Sequence, residues 1–322
     1  MQSNEIALST HDPELDALVR RALMLAESAT APRTRTAYRA CWRDFESWCA
    51  AHRLVSLPCE AATLALCVSH LSGHLAISTI AQRLAAIAKA HRSAGFESPA
   101  RAHLVREVLK GARRVLGVAP RSKDPLLVAN IRRIVANCPA SVLGIRDRAL
   151  VLCGFAMGSR RSELADLNVG DLSWTESGVV ITWRGSKTDQ EHAGHKTAIP
   201  FGTEEDVCPV RALRAWLDQA GISEGEGTVF RAVDRHGHIS EKGLYPGSIA
   251  RILKRASRRA GLDDKNIAGH SLRSGMATQS AMNGASERSI AQVTQHKSMR
   301  VLRRYIRDGG SFHDNASGRL GL

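Results

Sequence analysis

The sequence predicts a mainly α protein with a small antiparallel β-sheet, divided into two domains. Three observations carry this. Apolar residues recur at helical spacing through most of the chain, one pair of β-rich runs lies near its middle, and a proline-flanked polar stretch interrupts it at 117–125. A length of 322 residues also suits two domains, since single cores rarely grow past roughly 250–300 residues.

Asp12-Pro13 has the form of an N-cap with proline at the first helical position, and Leu15, Leu18, Val19 and Ala22 follow at helical spacing. A second helix is predicted over about Thr34 to Ala51, with Tyr38, Trp42, Phe45 and Trp48 or Cys49 inward and Arg35, Arg39 and Arg43 on another face. A third, from Ser78 to about Ala94, turns Ile80, Leu84, Ile87 and Ala88 inward and leaves Gln82, Arg83 and Lys89 outside. The chain stays helical and basic after Gly95 until Gly117–Pro125, where two prolines disfavour a continuing helix. The domains are therefore expected at 1–116 and 126–322, joined by a linker at 117–125.

In the second part, Leu126–Cys138 and Ile145–Met157 read as helices, the latter apolar enough to be buried. Val179–Trp183 and Lys196–Ile199 read as strands joined through the turn-rich residues Arg184–His195. Helical segments follow at about 209–220, 247–260, 271–283 and 286–294, then around Met299–Asp308.

Lys and Arg number 45 against 31 Asp and Glu, a formal charge of +14. Such an excess points to nucleic acid, because each neutralised phosphate releases a condensed counterion. The seven cysteines are odd in number and contain no CxxC pair, so neither a zinc site nor a disulfide framework is indicated. No basic-then-apolar leader and no apolar run of about 18 residues occurs, so a soluble, cytoplasmic protein with no membrane partner is expected.

The chemistry resides in an ordered series. Gly158-Ser159-Arg160-Arg161-Ser162-Glu163-Leu164 comes first, then Gly185-Ser186-Lys187-Thr188, then His270-Ser-Leu-Arg273, then His296, with Tyr305 nine residues beyond. A His-x-x-Arg match alone decides nothing: about one or two are expected by chance, and His103–Arg106 is a second. Lys196 competes with Lys187, and Arg161 with Arg160. Tyr305 keeps near-helical spacing with Leu302 and Ile306, as a core tyrosine would. Of the three tyrosines, however, it alone is flanked by Arg300, Arg303, Arg304 and Arg307.

Order and spacing together resemble the tyrosine recombinase (phage integrase) family, whose catalytic set runs Arg, Lys, His-x-x-Arg, His or Trp, Tyr. The resemblance covers the second domain and extends into the first, where the Trp42–Cys49 and Ser78–Gly95 segments look like the core-binding domain of Cre-type recombinases. It implies a two-domain DNA clamp, a helical core-binding domain followed by an α+β catalytic domain. The Arg-x-(Ser or Ala)-Glu-Leu register selects Arg160 over Arg161. The implied catalytic set is Arg160, Lys187, His270, Arg273, His296 and Tyr305, with Glu163 orienting an arginine or histidine. Tyr305 would attack the scissile phosphate to leave a 3′-phosphotyrosine, and Lys187 would protonate the departing 5′-oxygen. Arg160 and Arg273 could grip the phosphate as permanent bidentate cations, doing what two metal ions do in a nuclease. No metal or other cofactor is then required. Two departures stand out: Ser159 and Arg161 flank the arginine where the family usually has aliphatic residues, and Gln295 replaces the glycine that commonly precedes the second histidine.

For DNA recognition, Arg251, Lys254, Arg255, Arg258 and Arg259 fall on one helical face away from Ile252, Leu253 and Ala256. By resemblance this helix is a major-groove reader; a purely phosphate-binding face is the alternative. With Arg35, Arg39, Arg43, Gln82 and Arg83 of the first domain, Arg251, Arg255, Arg258 and Arg259 form the expected DNA-binding set. The implied partners are double-stranded DNA with a specific site, a homotetramer exchanging strands through a Holliday junction, and accessory DNA-bending proteins. The short tail from Gly309 to Leu322, with Phe312 and Leu320 as anchors, is read as docking on a neighbouring protomer. A type IB topoisomerase-like enzyme, which needs neither a defined sequence nor a tetramer, and a non-catalytic DNA-binding regulator remain alternatives at this point.

Overall fold

The structure, a computed structural model, describes residues 12–117, 123–183, 194–222, 225, 227–296 and 298–310. The chain divides into two compact units, Met1–Arg121 and Ser122–Leu322. Of the 117–125 stretch, only Gly117 and residues 123–125 lie among the described residues.

The first unit is helical: α1 (Pro13–Ser28), α2 (Pro32–Ala51), α3 (Ala61–Ser72), α4 (Ile77–Ser93) and α5 (His103–Leu116). Asp12 caps α1 by accepting the Glu14 N–H at 2.9 Å. The core is the stripe of α2 (Trp42, Phe45, Cys49) set against Leu64 and Val68 of α3, Ile80, Leu84 and Ile87 of α4, and Val105 of α5. Tyr38, expected inward, is only partly buried, and of Trp48 and Cys49 it is Cys49 that is buried. No residue of α1 is buried; Leu23 and Met24 line an open hollow with Trp42 of α2 and Ala90 of α4.

The second unit comprises α6 (Val128–Ala136), α7 (Val142–Ala156), α8 (Arg161–Asp166), strands β1 (Leu172–Thr175), β2 (Gly178–Trp183) and β3 (His195–Pro200), α9 (Pro209–Gln219), strands β4 (Arg231–Val233) and β5 (Ile239–Gly243), α10 (Pro246–Arg259), α11 (His270–Met282), α12 (Glu287–Thr294) and α13 (Met299–Gly310). β1, β2 and β3 form an antiparallel sheet in that order, and Val179, Ile181 and Trp183 of β2 alternate inward into the main core. The residues joining β2 to β3, 184–193, lie outside those described, and Lys187 with them. β4 and β5 form a second antiparallel ribbon that the sequence reading did not anticipate. Its three- and five-residue strands carry little apolar alternation, the signal by which strands are found.

α7 lies at the centre of the main core, with Ala149 to Cys153 almost completely buried. α11 packs on α7 and against α12 and α13, where Ala277, Ile290 and Leu302 form a small apolar cluster. The unit's leading segment is tied to α11: the Leu126 N–H donates to the Ser271 carbonyl at 3.0 Å. A Cβ on Gly275 would come within 2.0 Å of the Leu126 carbonyl oxygen, so only glycine permits this approach. All seven cysteines are free thiols. No described helix is long and apolar enough to cross a membrane.

Candidate active site and nucleic-acid interface

The chain leaves α7 through Gly158, whose φ of +53° suits glycine. That turn directs the Gly158 carbonyl at α11, where it accepts Arg273 Nη1 at 2.8 Å. Two residues on, Arg160 is the N-cap of α8. Glu163 accepts two of its N–H groups, the backbone N–H at 2.7 Å on Oε2 and Nη1 at 2.5 Å on Oε1. One carboxylate thus caps the helix and fixes the guanidinium.

α11 starts at His270, which places Arg273 one turn further on the same face. Arg273 is 2% exposed, and its Nη2 has no hydrogen-bond partner among the described residues. Burial, then the nearby Arg160 charge, lower its pKa to about 10, so it remains a cation at neutral pH. A buried cationic donor with an unused N–H is costly unless an anion completes it.

Tyr305, on α13, is half-buried beside Leu302 and Ile306. Its phenolic oxygen is 2.6 Å from His270 Nε2, and its ring centroid is 5.9 Å from that of His270 and 6.0 Å from that of His296. His296 follows Gln295, which ends α12 in the left-handed region at φ 52° and ψ 48°. Thr294 donates its hydroxyl to the Ile290 carbonyl at 2.7 Å, so at 2.6 Å it accepts a proton from His296 Nδ1. Both histidines are held neutral. Burial, then Arg273 and Arg160, depress His270; the same causes together with His270 bring His296 down to about 3. Arg160, Arg273, His270 and His296 thus feel one another's charge, and both histidine rings lie beside Tyr305.

Lys187, expected in this set, lies outside the described residues. Its competitor Lys196 is exposed on β3, paired across the sheet with Thr182. The second His-x-x-Arg pair, His103 and Arg106, opens α5 in the first unit. Residues the sequence reading passed over are Thr294, which sets the His296 tautomer, and Asp147, a fully buried carboxylate on α7. Arg146-Asp147 inside an apolar helix was the available signal, since a buried charge requires partners.

On α10, Arg251, Arg255, Arg258 and Arg259 are exposed, opposite buried Ile252, Leu253 and Ala256. In the first unit Arg39, Arg43 and Gln82 are exposed. Two arginines there are not the open cations that the sequence pattern suggested. Arg35 pairs with Glu27 of α1 at 2.5 Å, and Arg83 pairs with Asp44 of α2 at 2.7 Å. Periodicity within one helix does not reveal an acid on the next; such partly exposed pairs are worth about 0–1 kcal/mol and can yield to phosphate.

The profile of the phage integrase family matches residues 126–309, more than half of the chain. The chain belongs to that family. An integrase/recombinase xerD homolog of Selenomonas ruminantium is 37% identical over 298 residues, covering 91% of this chain and 87% of that one. Tyrosine recombinase XerD of Corynebacterium glutamicum is 29% identical over 188 residues, 56% of each chain. In fold, the recombinase resembles XerH bound to its difH substrate after cleavage (TM-score 0.60, 15% identity, 78% of this chain and 70% of that one). It also resembles the lambda integrase tetramer bound to a Holliday junction (TM-score 0.59, 18% identity, 94% and 82%). The protein is a tyrosine recombinase, an enzyme of site-specific DNA recombination.

Proposed function

We propose that this recombinase cuts and rejoins DNA through Tyr305, with Arg160, Lys187, His270, Arg273 and His296 as its catalytic set. The observation that carries the reading is the 2.6 Å contact between Tyr305 Oη and a neutral His270 Nε2, set beside two arginines. A phenol ordinarily titrates near about pH 10 and needs a base during attack. With Nε2 unprotonated, His270 accepts the phenolic proton as the Tyr305 oxygen bonds to phosphorus. The bond to the 5′-oxygen breaks, and Lys187 supplies the proton that this oxygen takes. Arg160 and Arg273 hold the non-bridging oxygens and stabilise the charge that grows on them. Glu163 keeps Arg160 in place. The phosphodiester energy is retained in the 3′-phosphotyrosyl link, so the reaction reverses without a nucleotide cofactor.

On this reading residues 1–116 are the core-binding domain and 126–322 the catalytic domain, and both hold double-stranded DNA at a specific site in the cytoplasm. Arg35, Arg39, Arg43, Gln82 and Arg83 contact it from the first, and Arg251, Arg255, Arg258 and Arg259 from the second. Four protomers exchange strands through a Holliday junction, with DNA-bending proteins as accessories. The lambda integrase tetramer on such a junction supports this stoichiometry.

The test is covalent trapping. Wild type and Tyr305→Phe are incubated in EDTA with nicked duplexes from the native genetic neighbourhood and resolved on a denaturing gel. A protein–DNA adduct in wild type alone is the expected result. Tight binding without any adduct would instead make the chain a non-catalytic DNA-binding protein.

A further inference from the structure

α7 is apolar and buried, yet it carries two adjacent charges near its start, Arg146 at 3% exposure and Asp147 at 0%. A carboxylate removed from water needs charge and donors in place of its hydration. Asp147 has both. Oδ1 accepts Arg146 Nε at 2.8 Å, with Nη2 at 2.7 Å, and Arg146 Nη1 is anchored on the Arg231 carbonyl at 3.1 Å. Arg146 alone would neutralise the buried charge. Oδ2 nevertheless reaches outward, to Arg255 Nη2 at 3.0 Å and Arg259 Nη2 at 3.5 Å.

Those two arginines stand one turn apart on the basic face of α10, and their side chains stay 47% and 30% exposed. Each guanidinium is held from beneath and open to solvent above. Their neighbours lack this support: Arg251 bonds to Ser248 on its own helix, and Arg258 to Asp264 just beyond its end.

We infer that Asp147 is a positioning residue for DNA recognition, fixing the Arg255 and Arg259 guanidiniums so that their outward N–H groups meet the duplex in one geometry. This rests on the DNA-binding reading of α10 given above. A guanidinium that reads a guanine edge or bridges two phosphate oxygens must present its fork in a set plane. An arginine already anchored on a buried carboxylate has surrendered its rotamer freedom on folding and loses little more on binding. α7, which carries Asp147, ends at Ala156, four residues before Arg160.

The full-length protein is put through binding-site selection on a random-sequence duplex library. Anisotropy titrations then compare the selected duplex with a scrambled duplex of equal composition at several salt concentrations. Asp147→Asn removes a negative charge beside three arginines, so bulk electrostatics alone would tighten binding to both duplexes. Positioning demands the opposite on the selected duplex. There the affinity falls about tenfold or more, the scale of one good bidentate contact, while the scrambled duplex binds as well or better. Arg255→Ala should cost less in the Asp147→Asn background than in wild type, because both changes break the same arrangement.

Arg255→Lys keeps the charge and leaves the buried Asp147–Arg146 pair intact but lacks the fork. It should reproduce the loss of selectivity, and it decides the matter if Asp147→Asn does not fold. Discrimination equal to wild type in folded Asp147→Asn, or in Arg255→Lys where the former does not fold, overturns the inference. A wild-type chain that selects no sequence overturns the recognition reading itself, and the inference with it.

Discussion

Tyr305 Oη and His270 Nε2 lie 2.6 Å apart, although 35 residues separate them in sequence. The contact forms because α11 and α13 pack over Ala277 and Leu302, with His270 at the first turn of one helix and Tyr305 facing it from the other. His270→Ala should therefore slow adduct formation by about a hundred- to ten-thousand-fold, the range of general-base contributions. Single-turnover cleavage of a nicked duplex checks this. A rate within twofold of wild type would remove His270 from proton transfer.

Gly158 serves Arg273 through its backbone. An alanine there must hold a φ of +53°, and its Cβ would stand 3.0 Å from Thr294 Cγ2. The left-handed conformation alone costs about 1–2 kcal/mol, a fall in Tm of roughly 2–8 °C for a unit of this size. Because the Gly158 carbonyl accepts Arg273 Nη1, cleavage should fall as well. Thermal melting and single-turnover cleavage of Gly158→Ala test the two halves separately.

Much of this site was legible in the sequence because its residue types are chemically constrained and their order is preserved. Arg160, His270, Arg273, His296 and Tyr305 lie in four separate stretches, and only the fold brings them together. Helix positions were legible where an apolar stripe exists, as in α2 and α4. β1, β4 and β5 were not: β1 has only Leu172 and Trp174 to mark it, and β4 and β5 carry little apolar alternation. Nor were the pairings of Arg35 and Arg83 visible, since their acids come from other helices. Asp147 was hidden for a related reason: its partners Arg255 and Arg259 lie more than a hundred residues away.

Two positions where the sequence departs from its family carry measurable consequences. Ser159 is 4% exposed and its hydroxyl has no partner among the described residues. Ser159→Ala removes that unsatisfied group and should stabilise the fold by about 1 kcal/mol. Gln295 occupies the left-handed region, which an unbranched side chain tolerates and a β-branched one resists. Gln295→Val should lower stability by more than about 1 kcal/mol and displace His296. Urea unfolding of the two variants should move in opposite directions; shifts of the same sign would contradict this account.

His296 sets an acid limit on the fold. Its pKa of about 3 lies below the ordinary histidine value of 6.5, so between these values the unfolded chain binds more protons than the folded one. The stability it contributes is complete above about pH 6.5 and is lost as pH falls from there toward 3. His270, also depressed, adds a loss of the same sign. The groups facing His296 are Arg273, Arg160, His270 and Tyr305, and the two arginines resist its protonation. With Nδ1–H committed to Thr294, Nε2 presents a lone pair to an arriving phosphate, so tight engagement should take up a proton. Calorimetry of duplex binding at pH 6, in two buffers of different ionisation enthalpy, should show net proton uptake in wild type and less in His296→Asn. The same substitution should flatten the decline of Tm between pH 7 and 5. Unchanged uptake and an unchanged Tm profile would mean that another group carries both effects.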